Sequence, residues 1–293
     1  MALQAGVIYP LWHAKKETGI ILDGKLLREH LERLGLAGQT VCLHASLRSF
    51  GPVEGGAEAI VSAFEAAGCT LIVPAFTYRT HLPTPPEHFL PCNGESRDRP
   101  ASSGRALQAF VPGDPHVTPE MGAIPAALVR HPAMRRSTHP LNSFAALGPA
   151  AEIVAGQTLA DIYAPYKALY ASGQGFLLLA GVGLDCATPI HFAEELAGRR
   201  LFQRWALDQA RGTVRCSVGG CSDGFERLAP AVAGIEHRER VGESRWRIIP
   251  FRAFVEACAE RIRREPGITH CADPACERCR DAVAGGPKVP KVQ

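Results

Sequence analysis

Nowhere in its 293 residues does the chain carry the run of about eighteen apolar residues that a membrane-spanning helix needs. No membrane partner is therefore expected. The opening MALQAGVIYPLWHAKKETG has no basic stretch leading into an apolar core, so no secretory signal is read there. The cytoplasm is the expected compartment. Charge of one sign is also scarce: 32 Lys and Arg face 29 Asp and Glu, a net charge of +3. So small an excess argues against a general polyanion binder, and no nucleic-acid partner is expected. There is neither a G-x-G-x-x-G fingerprint nor a phosphate-binding P-loop. No internal repeat is found either.

What is present is ordinary globular material, 46% apolar and 21% charged, enough for a sizeable core. Cysteine is plentiful, at ten residues. In a reducing compartment these are thiols rather than disulfides. Cys42, Cys69, Cys186 and Cys258 stand singly among apolar neighbours and read as small core side chains.

Apolar periodicity predicts a helix over 24–34, a strand over 40–45, a helix over 57–68 and a strand over 70–76. Strand, helix, strand at this length is a βαβ unit, which implies an α/β protein with a mostly parallel central sheet. A helix follows at 123–131, a strand at 143–148 and a strongly apolar strand at 176–183. The last runs into a helix over 187–200, with Pro189 in its first turn. Residues 77–120 break the pattern and read as a long loop or inserted flap. The whole reads as one domain, 1–268, with a Cys-rich appendage at 269–283 and a frayed tail at 284–293.

Three segments concentrate polar groups. In GVGLDCATPIHFAEEL a glycine-rich turn leaves a buried strand and opens a helix, where α/β sheets place their ligands. His191 has Glu194 at i+3 and Glu195 at i+4, and either carboxylate can reach the imidazole. Such a pair is the arrangement of a general base, but spacing alone equally fits a packed helix histidine. MRRSTHPLNSF (134–144) sets Arg135, Arg136 and short polar side chains at a strand entrance, as a cofactor wall or a plain polar turn. LHASLRSFGPVEGG (43–56) is a strand-to-helix loop whose backbone N–H groups and Arg48 suit phosphate, or an ordinary βα connection.

In this order the segments resemble the aminoglycoside 3-N-acetyltransferase family. The matching motifs are H-x-S-[LF]-x-x-x-G at His44–Gly51, TLIVPAFT, and MGAIPAALVRHP. RSTHPLNSFAALG, LLLAGVGLDCATPIHFAEE and the G-C-x-x-G-F of Gly220–Phe225 follow. The resemblance spans roughly residues 24–260. It implies a single three-layer α/β/α domain, and transfer of acetyl from acetyl-CoA to the 3-amino group of an aminoglycoside, an antibiotic-resistance activity. By the same resemblance His191 is the base and Glu194 its holder. CoA would be contacted by Ser46, Leu47, Arg48, Ser49, Phe50 and Gly51, and by His139, Ser143 and Phe144. The chemistry fits: an ammonium must lose a proton before it attacks a thioester. Backbone N–H groups or the Thr188 hydroxyl are candidates to steady the oxyanion.

The long, Pro- and His-rich 77–120 segment departs from the family on the acceptor side. Carboxylates to meet a polycation are Glu120, Asp161, Asp185, Glu194 and Glu195. A related acyl-CoA-dependent enzyme acting on a non-antibiotic amine is the alternative. The spacing of Cys271, Cys276 and Cys279 suits structural zinc, with His270 adjoining, or else marks free thiols. Because His270 and Cys271 are adjacent, the fourth ligand is sought also at Cys216 or Cys221. Monomer and homodimer both remain open.

Overall fold

The computed structural model describes residues 21–95 and 107–288. The N-terminal stretch read for a signal, the middle of the long loop and the last five residues of the tail lie outside the described residues. Ten strands are described: β1 (Thr40–Ala45), β2 (Thr70–Pro74), β3 (His81–Leu82), β4 (Arg135–Arg136), β5 (Phe144–Leu147), β6 (Phe176–Ala180), β7 (Phe202–Asp208), β8 (Gly212–Val218), β9 (His237–Val241) and β10 (Ser244–Pro250). The helices are α1 (Gly24–Arg33), α2 (Gly56–Ala66), α3 (Ala123–Leu128), α4 (Ala164–Ser172), α5 (Pro189–Leu196), α6 (Ala229–Val232), α7 (Phe251–Arg264) and α8 (Glu277–Val283).

The central sheet runs β4-β5-β2-β1-β6-β10-β9. Its middle is parallel, with Val41 opposite both Leu71 and Phe176. Towards both edges the pairing turns antiparallel, which limits the expected mostly parallel sheet to its β2-β1-β6 centre. At one edge the reason is the connection: β9 and β10 are joined by a two-residue hairpin at Gly242-Glu243, and a tight turn can only reverse the chain.

Period-two alternation divides the sheet's two faces. Val41, Leu43, Leu71, Val73, Ala145, Leu147, Leu178 and Ala180 pack with the buried side chains of α1, α2 and α3. Cys42, Ile72, Phe144, Ala146, Leu177 and Leu179 pack with those of α4, α5 and α7. The expected three-layer α/β/α domain is therefore present. A second, antiparallel sheet, β3-β7-β8, stands beside it. It uses part of the 77–120 segment, which is not all loop: β3 pairs with β7 at His81 and Ala206.

The Cys-rich segment is tied to the main body. Gly94 N–H donates to Asp281 Oδ2 at 2.8 Å, and Arg200 N–H to the Gly285 carbonyl at 3.1 Å. Among the described residues, no helix is long and apolar enough to cross a membrane.

Candidate active site

Strand β6 is fully buried from Leu177 to Ala180, so it ends at a fixed point in the layer. At Gly181 the chain takes φ +68°, and a Cβ there would lie 2.0 Å from Ser49 Oγ. Only glycine passes. A short turn over Leu184–Cys186 then leads to Thr188 and α5, which buries Ile190, His191, Ala193 and Glu194. The C-terminal ends of β1, β2 and β6 thereby open onto one cleft of about 950 Å³.

His191 faces that cleft and is 8% exposed. Its Nδ1 lies 2.7 Å from Glu194 Oε2. The other carboxylate oxygen of Glu194 accepts from Arg199 Nη1. Arg199 is itself buried and held by the Thr269 hydroxyl at 2.8 Å and the Pro266 carbonyl at 2.5 Å. Glu194 is thus a buried anion with a buried cation behind it, which fixes its orientation towards the imidazole. Glu195 points elsewhere, to Lys167, which also binds Asp161. The spacing that left two carboxylates open is resolved by these cations.

The imidazole lies parallel to Tyr163, centroids 6.4 Å apart, and takes the edge of Phe225 at 4.8 Å. A Cβ on Gly219 would come within 2.7 Å of Tyr163 Oη and 2.8 Å of His191 Cδ2. The bare glycine backbone is what lets this wall close on the ring. Burial pushes the Tyr163 phenol well above its ordinary value, with the Glu194 charge adding to it, so the phenol stays neutral. Thr188 also lines the cleft.

The expected cofactor residues divide. Ser46, Leu47 and Arg48 line the cleft beside His44. Ser49 turns back to the Ser46 carbonyl at 2.7 Å and Ser244 Oγ at 2.8 Å. Phe50 packs edge-on against Trp246 in the core, and Gly51 closes the turn against Glu243. His139 is buried: its Nδ1 accepts from the N–H groups of Leu141 and Asn142, and its Nε2 donates to the Ser217 carbonyl at 3.1 Å. Ser143 donates to the Ala75 carbonyl at 2.7 Å and Phe144 is core. Their neighbour Asn142 is the one at the cleft. Arg136 braces Ala75, Thr77 and Asp114, while Arg135 pairs with Glu152 at the surface.

Of the acceptor-side carboxylates, Glu120 and Asp185 line the cleft. Tyr78, Asp223 and Arg278 line it too and were missed. Tyr78 and Arg278 flank it from segments read as loop and appendage, and Asp223 lay inside the Gly220–Phe225 motif. Cys186, read as core, is exposed on the same cleft because its turn stands clear of the helix layer. At the far C-terminus, the sulfurs of Cys221, Cys271, Cys276 and Cys279 lie within 4.8 Å of one another. His270 is outside this group, its Nδ1 donating to the Cys271 carbonyl at 3.0 Å. Cys216 is also outside, bonded to the Arg204 carbonyl.

A family model described as aminoglycoside 3-N-acetyltransferase matches residues 42–263. The chain belongs to the aminoglycoside 3-N-acetyltransferase family. An aminoglycoside N(3)-acetyltransferase III from a Salmonella species is 36% identical, over 74% of this chain and 82% of its own. An aminoglycoside N(3)-acetyltransferase IX from Micromonospora chalcea is also 36% identical, over 74% and 84%. In three dimensions the chain is similar to the apoenzyme of the aminoglycoside acetyltransferase AAC(3)-IVa. The TM-score is 0.72 at 26% identity, covering 92% of this chain and all of that one. The resemblance seen in the motifs therefore holds across the domain. This aminoglycoside 3-N-acetyltransferase family member is an acyltransferase, as its motifs led one to expect.

Proposed function

We propose that the protein transfers the acetyl group of acetyl-CoA to the 3-amino group of an aminoglycoside, with His191 as general base. The observation that carries this is the buried chain Arg199–Glu194–His191 ending on the cleft. Glu194 accepts the Nδ1 proton, so the Nε2 lone pair is free to take a proton from the amine. As the amine nitrogen bonds to the thioester carbon, its proton passes to Nε2. The carbon–sulfur bond then breaks, and the proton held on Nε2 passes to the departing CoA thiolate, which leaves as the thiol and returns His191 to its neutral form. No covalent enzyme intermediate is needed. Thr188 donates towards the carbonyl oxygen as charge develops there.

Ser46, Leu47 and Arg48 contact CoA, Arg48 through its phosphates. Ser49, Phe50, Gly51, His139, Ser143 and Phe144 serve that contact from behind, by holding the loops that present it. A polycationic acceptor suits the Glu120, Asp185 and Asp223 carboxylates of the cleft. Transfer to such an antibiotic is the chemistry of resistance.

The test is His191→Ala, assayed by CoA release with a panel of aminoglycosides. A positioned base is worth about 10²–10⁴-fold, so kcat should fall by that factor while CoA still binds. Undiminished turnover in the variant sinks the assignment.

A further inference from the structure

We propose that Cys221, Cys271, Cys276 and Cys279 form a closed zinc site that anchors the Gly219–Asp223 wall of the cleft. Their sulfurs already lie within 4.8 Å of one another. Tetrahedral zinc with Zn–S bonds of about 2.3 Å has sulfur–sulfur edges of about 3.8 Å, so small side-chain rotations close the cluster on an ion. All four thiols are free, and three buried ones, Cys221, Cys271 and Cys279, with the half-buried Cys276 against them, form a separate cluster packed on one another rather than on either face of the main sheet. The Cys271 N–H donates to Cys279 Sγ at 3.3 Å, the kind of outer hydrogen bond that orients a thiolate ligand. Four sulfurs with no nitrogen or carboxylate select a soft metal, and four protein ligands leave no open position for catalysis. Binding converts the thiols to thiolates and releases their protons to solvent.

The position of the cluster gives it a purpose. Cys221 lies in the stretch Gly219–Asp223, which lines the cleft and whose Gly219 lies against the His191 ring. Arg278, between the Cys276 and Cys279 ligands, lines the same cleft. An ion here ties the start of α8 to the wall beside the base. The metal site stands independently of the acetyl-transfer reading, and only its effect on turnover rests on that reading.

The full-length protein would be analysed for zinc as isolated, then stripped under reducing conditions and reloaded with cobalt(II). One equivalent of zinc per chain is expected, and the cobalt form should show tetrahedral d–d bands with thiolate charge transfer. Cys221→Ser should weaken metal binding by at least about 10-fold, the lower range for losing even an outer partner, and lower the charge-transfer intensity. Cys216→Ser, outside the cluster, should change neither. Absence of stoichiometric metal together with no thiolate charge transfer overturns the site, as does recovery of these cysteines as disulfides. Should Cys221→Ser fail to fold, the cobalt spectrum of the unaltered protein decides. If the site loads but metal removal changes neither the melting temperature nor KM for the amine, the anchoring role is overturned.

Discussion

Replacing Glu194 by Gln keeps its volume and removes the charge shared by His191 and Arg199. Arg199 can only donate, and the Thr269 hydroxyl and Pro266 carbonyl hold it in place. The new amide must therefore turn its oxygen to Arg199 and its NH₂ to His191 Nδ1. The ring then accepts at Nδ1 and carries its proton on Nε2. A donor faces the amine where a base is required. In a serine-protease triad the equivalent carboxylate-to-amide change costs about 10⁴ in kcat through this same tautomer switch. At about 1.36 kcal/mol per tenfold, that is roughly 5 kcal/mol of barrier. Glu194→Gln is accordingly expected to lower kcat by about 10³–10⁴ with KM for acetyl-CoA nearly unchanged, since the loss falls on the chemical step. Thiol release at saturating donor and acceptor measures kcat, and calorimetric titration of CoA checks binding. A variant turning over within about tenfold of the parent would refute the reasoning, because the amide would then serve as well as the carboxylate.

Gly219→Ala should push His191 and Tyr163 apart, and displacement of about 1 Å at a reacting group can cost about 10²-fold. Steady-state kinetics alongside an unchanged circular-dichroism spectrum checks this. Leu178→Ala, at a fully buried position in the central strand, should cost about 2–5 kcal/mol in a denaturant titration. Burial holds His44 down to about 3 and His139 down to about 4, whereas an unfolded chain protonates histidine near pH 6.5. The unfolded state thus binds more protons below about pH 6.5, so stability is full above that value and is lost as pH falls towards 4 and then 3. His44→Asn should roughly halve the slope between about pH 6.5 and 4 and remove it between about 4 and 3, where His44 acts alone. A denaturation midpoint indifferent to pH across the window would count against it.

The strands that frame the cleft were legible because β2 and β6 are almost wholly apolar and β1 is a β-prone run broken only by His44, all three buried along most of their length. Strands β7 and β9 were not. In FQRWALD the buried positions alternate but one of them is Arg204, held by the Asn93 and Gly94 carbonyls. HRERV is almost wholly polar and becomes a strand only by pairing with β10 at the sheet's edge. The same limit applies at the site. A row of arginines at 199, 200, 204, 211 and 215 reads as a solvated face, yet Arg199 and Arg204 are buried, because their partners come from segments some seventy and a hundred residues away. That distant pairing decides what helical spacing cannot. Glu194 and Glu195 both lie within reach of His191 along α5. Lys167 on α4 draws Glu195 outward, and Arg199, pinned by Thr269 and Pro266, draws Glu194 inward to the imidazole. The partner of the His191 imidazole is thus specified by two cations that a local reading of its helix does not contain.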